Sequence, residues 1–147
     1  MRNGWWVAVL TGIVAGSGFA AEPELRTLAR GQNSGVTKAS EVVVRTAEEW
    51  QKLWAQHGAP QRPSPPLPRV DFGREMVVAV FMGEQRTGGY GIQVTGLRVG
   101  DRAITVEVKR SQPPPDAIVT QALTQPFHLV AIKKSDLPVK FVAAPGR

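Results

Sequence analysis

The chain has 147 residues, 42% of them hydrophobic and 20% charged, with no cysteine, which suits one globular domain and excludes a disordered, fibrous or disulfide-stapled chain. Thiol nucleophiles, thiolate metal sites and iron–sulfur centres are excluded as well, and two histidines leave little to ligate a metal. Eighteen Lys and Arg against 12 Asp and Glu give a net charge of +6, enough to favour anionic surfaces but not to name a partner.

Residues 1–20 read as a signal peptide. Arg2 supplies the positive start, Trp5 to Ala15 is mostly apolar and uncharged, and Gly18-Phe19-Ala20 places small residues where a signal peptidase cuts. The apolar stretch is too short for a stable span, so the chain is expected to be exported, periplasmic or extracellular, without a membrane anchor after cleavage. Residues 21–40 are polar and rich in Gly and Ser, a loosely ordered arm that supplies at most a short edge strand. Residues 41–147 form the single domain.

Glu41 to Arg45 is a β-branched strand. Thr46-Ala47-Glu48-Glu49 is a capping box, in which Thr46 accepts from the Glu49 amide and the Glu49 carboxylate reaches back to the Thr46 amide. A helix over about 47–57 follows, with Trp50, Leu53, Trp54 and His57 on one structural face and Gly58 placed as a left-handed cap. Residues 59–68 contain five prolines, a stiff connector of polyproline type. Met76 to Met82 is apolar throughout, as in a central strand buried on both faces.

Beyond it, Ile92 and Val94 alternate with polar residues, but the apolar phase then jumps to Leu97 and Val99, which places a bulge at Gly96. Gly100-Asp101 turns the chain into Ile104, Val106 and Val108, completing a hairpin. After Pro113-Pro114-Pro115, strands are expected at 118–123, 127–132 and 139–142. The class is mainly β or α+β, an antiparallel sheet, curled or sandwiched, with one amphipathic helix packed on it.

Chemistry has few candidates. Thr87-Gly88-Gly89-Tyr90-Gly91 lacks the Gly-Lys-Ser/Thr ending and the following helix of a phosphate loop. His57 is expected at the core boundary and His128 in solvent, and no HxH or HExxH spacing joins them. None of Ser34, Ser40, Ser64, Ser111 and Ser135 stands in a nucleophile elbow. Asp71 and Glu75 flank the buried strand, as an acid–base pair or as turn caps paired with Arg69 and Arg74. Lys109-Arg110 and Lys133-Lys134 are the only basic doublets, too sparse for a nucleic-acid reader. The residues indicate no catalytic site, cofactor or metal. They favour partner binding through a glycine-rich loop, with Arg86, Thr87, Gly88, Gly89 and Tyr90 as contacts and the neighbouring 111–116 and 124–128 loops beside them, Gln125, Pro126 and Phe127 included.

The ordered set Thr46 to Trp54 with His57, Val70-Asp71-Phe72, Thr87-Gly88-Gly89-Tyr90, the proline loop from Pro113, and Gln121 to Val130 resembles the PrcB C-terminal domain family. Its named member is an accessory subunit of a secreted subtilisin-like protease complex. The resemblance covers about residues 40–134 and implies a non-catalytic module that helps a protein partner, a protease in that family, to assemble or stay stable. The named member is a lipoprotein, and without cysteine this chain lacks that anchor. Arg86 to Tyr90 and Gln125-Pro126-Phe127 also resemble two loops of chagasin-type protease inhibitors, the alternative being a β-sandwich inhibitor acting through 85–91 and 124–128. A second alternative is a structural envelope domain with no specific ligand.

Overall fold

The computed structural model describes residues 24–145, so the expected leader lies outside the described residues. Within them the chain runs β1 (Arg26–Gly31), β2 (Ser40–Val44), α1 (Ala47–Gly58), β3 (Glu75–Phe81), β4 (Gly91–Val99), β5 (Ile104–Ser111), β6 (Phe127–Lys133) and β7 (Val139–Ala143). Two sheets form, a four-stranded one in the order β1-β6-β3-β2 and a three-stranded one in the order β4-β5-β7.

The uninterrupted apolar run in β3 follows from its position. Met76, Val78 and Val80 face the three-stranded sheet, with Ile92, Val94, Ile104, Val106 and Val108 opposite, while Val77, Ala79 and Phe81 face the helix. Strand β6 divides in the same way, Val130 and Ile132 to one side and Phe127 and Leu129 to the other. The molecule therefore has three layers, helix, sheet and sheet, with the four-stranded sheet as the shared middle layer.

The helix docks as its spacing requires, with Trp50 and Trp54 buried and Leu53 packed at the margin. Trp50 Nε1 donates to the Pro68 carbonyl at 3.1 Å and Trp54 Nε1 to that of Pro65 at 3.0 Å. Both indoles thus tie down a connector whose prolines have no N–H for a ladder. Thr46 Oγ1 accepts from the Glu49 amide at 3.2 Å, but the Glu49 carboxylate accepts from the Arg45 amide at 3.0 Å rather than from Thr46. Nor is Gly58 a left-handed cap. It closes the helix, and right-handed Ala59 follows, its N–H bonded to the Gln56 carbonyl.

Other expectations need revision. The short edge strand expected before residue 40 forms as β1, which pairs with β6 at the sheet's edge, but residues 24–40 are more ordered than a loose arm, with Ser34 and Val36 buried beyond β1. The sheets are not wholly antiparallel. The 134–138 connection passes from one sheet to the other and lays β7 parallel to β5. The bulge in β4 falls between Val94 and Gly96, as the change of apolar phase requires, so Thr95 is the extra residue. No strand forms over 118–123, and the isolated bridge of Gln85 with Thr124 lies just beyond it. Asp71 does cap a turn, accepting from the Gly73 amide at 3.0 Å, and approaches Arg74 at 3.8 Å as expected, whereas Glu75 pairs with Arg26 rather than with Arg69 or Arg74.

Candidate functional site

At the end of the sandwich where β3 and β5 finish and β4 and β6 begin, the sequence places its glycine-rich loop, and the structure brings three segments together there. Gln85 and Thr124 exchange two backbone hydrogen bonds, of 2.7 and 2.9 Å. The Gly88 amide donates to the Thr120 carbonyl at 2.9 Å, and Thr124 Oγ1 donates to the Thr87 carbonyl at 2.8 Å. Gly89 has φ +91°, and a Cβ there would lie 2.8 Å from Pro113 Cβ. Here glycine serves both the left-handed backbone and close contact with the proline loop. The 85–91, 113–120 and 123–125 segments are therefore one fastened unit.

The site residues expected from sequence divide by exposure. Arg86 and Gly89 are exposed, and Thr87, Gly88, Tyr90 and Gln125 are half-buried. Gln125 is held from both sides, its amide donating to the Gln32 carbonyl at 2.7 Å and its side chain to Glu84 at 3.1 Å. Pro126 and Phe127 are buried. Phe127 begins β6, pairs on both flanks, and turns its ring into the helix-side core, with its centroid 4.3 Å from that of His57. An inhibitory loop tip carried by Phe127 is therefore removed from the inhibitor alternative.

Sequence reasoning missed Ile118 and Leu123, which lie on this same unit. Ile118 is fully exposed, at 103%, and Leu123 is 58% exposed. Both belong to the segment expected as a strand, where apolar residues would have had a sheet to cover them. One signal against that assignment was available in the sequence, the three prolines that precede the segment. Glu84, Arg86 and Asp116 are exposed on or beside these segments, so the surface carries charges of both signs as well as the apolar positions.

The two histidines are structural. His57 is buried rather than at the boundary, its Nδ1 2.9 Å from Ser34 Oγ, which accepts from the Val36 amide at 3.1 Å. Burial lowers its pKa from 6.5. His128 is also buried, not solvated, because its side of β6 meets the edge of β4. Its Nδ1 accepts from the Val94 amide at 2.9 Å. The proton therefore sits on Nε2, which donates to Thr27 Oγ1 at 2.9 Å. Burial, and then the charge of Arg30, bring this pKa down to about 4. A neutral ring thus joins β4 to β1 across the seam between the sheets. No carboxylate bonds to either imidazole among the described residues, and no group of three or more metal-ligating side chains occurs there.

The model of a family described as PrcB C-terminal matches residues 76–133, a stretch from β3 to the end of β6 that contains the whole fastened loop unit. Comparison with curated proteins and with solved structures gave no match.

Proposed function

We propose, on the match of residues 76–133 to the PrcB C-terminal family model, that the chain is an exported, non-catalytic accessory protein that binds a protease partner through the fastened loops. Export rests on the leader pattern of residues 1–20. The observation that carries the reading is the exposure of Ile118 and Leu123 on a unit tied by backbone hydrogen bonds. Burying such a side chain in an interface contributes about 1.5 to 3 kcal/mol. A loop already fixed loses little conformational entropy on binding, so more of that gain becomes affinity. Arg86 and Tyr90 at the margin supply charge and an amphipathic ring, residue types enriched where partners meet.

The test is crosslinking and affinity capture from the envelope fraction of the native host, with Ile118→Asp and Tyr90→Ala beside the wild type. A subtilisin-like protease should be recovered by the wild type and lost with Ile118→Asp, whose thermal unfolding should match the wild type. Equal recovery by all three proteins would refute the loop assignment.

A further inference from the structure

At the opposite end of the sandwich a cleft of about 620 Å³ opens between the sheets. It originates in the bulge of β4. Before the bulge, Ile92 and Val94 are covered by the middle sheet, and His128 fastens Val94 to β1. The inserted Thr95 bends the strand, and beyond it Leu97 is only half-buried and Val99 is 58% exposed. These two side chains line the cleft together with the buried Ile104 and Ile132.

The rim is charged. Arg26 and Glu75 bond to each other at 2.8 Å and so neutralise one another. Arg74 is left with a long 3.8 Å approach to Asp71 and a side chain 88% exposed, and among the described residues Lys133 makes no ion pair. Glu24 is the acid on the rim that opposes these two cations. An apolar recess with a net positive mouth fits a molecule that is apolar at one end and anionic at the other.

We propose that this cleft binds a small amphipathic carboxylate of the fatty-acid class, its chain against Leu97, Val99, Ile104 and Ile132 and its carboxylate at Arg74 and Lys133. The apolar wall supplies most of the attraction, and the exposed cations fix orientation and discriminate against neutral analogues.

The experiment is calorimetric titration of the full chain with decanoate below its micellar concentration. Saturable single-site binding is expected, with decan-1-ol bound about tenfold more weakly or worse. Val99→Asp, at an exposed position, should keep the unfolding temperature and abolish binding, while Arg74→Gln combined with Lys133→Gln should weaken it about tenfold. Ile118→Asp should leave decanoate binding unchanged, which separates this site from the loop interface. Absence of saturable binding, equal affinity for decan-1-ol, or binding unaffected by Val99→Asp would overturn the proposal.

Discussion

Acidification should weaken this fold through His128, and the size of the effect follows from where the ring sits. In the folded protein the imidazole is held neutral, its Nδ1 engaged by the Val94 amide. Protonation would replace that acceptor with a second donor facing an N–H. The pKa falls from 6.5 to about 4, whereas in the unfolded chain it returns to the ordinary value. Between these two values the unfolded state binds more protons than the folded one, so stability rises with pH across that window. The contribution is complete above pH 6.5, declines as pH falls towards about 4, and has gone below that. The full difference corresponds to about 3 kcal/mol.

Urea unfolding of the wild type and of His128→Gln, at closely spaced pH values across the window, measures it. Gln offers an amide oxygen to Val94 and does not titrate. Although less stable at neutral pH, the variant should lose about 3 kcal/mol less than the wild type on acidification. The residual slope contains His57, which acts in the same direction because burial lowers its pKa too. Parallel stability curves for the two proteins across the window would refute the reasoning.

Three further predictions concern the elements around the core. Trp50→Ala and Trp54→Ala should each cost about 3 to 5 kcal/mol in urea unfolding, since each empties part of the helix-side core and leaves a proline carbonyl without its indole donor. Costs below about 1 kcal/mol at both positions would mean that the helix is not docked. Gly89→Ala should lower stability by about 1 to 3 kcal/mol, and a thermal midpoint equal to the wild type would mean that the loop is not held against Pro113. Thr46→Ala should cost about 1 kcal/mol through the lost cap bond, and an unchanged denaturant midpoint would show that the Glu49 amide is satisfied otherwise.

Patterns that depend on the chain's own neighbours were legible from sequence. The helix start, the tryptophan face, the doubly buried strand and the β4 bulge all follow from spacings within a few residues. What was not legible depends on partners distant in sequence. His128 was expected in solvent because Phe127 and Leu129 took the buried phase, yet β6 is buried on both faces and has no solvent phase. Phe127 was read both as the start of a strand over 127–132 and as a contact of the 124–128 loop, and pairing to β1 and β3 makes it strand. The parallel pairing of β7 depends on which sheet the chain joins after residue 133, and nothing local encodes that. The loop contacts were half legible: glycine spacing indicated 87–91, while the exposure of Ile118 and Leu123 required knowing that no strand lies beneath them.

The shared middle sheet also limits how the chain can be cut. The stretch that matches the family model supplies β3 to β6, but β1, β2, the helix and β7 all come from outside it. Excised alone, 76–133 would leave Val77, Ala79 and Phe81 uncovered on one side, and β3, β5 and β6 would each lose a flanking strand. Such a fragment would present bare apolar surface and open edges, conditions for self-association rather than independent folding. The smallest autonomous unit is therefore larger than the stretch that the family model matches, and it must extend from β1 through β7.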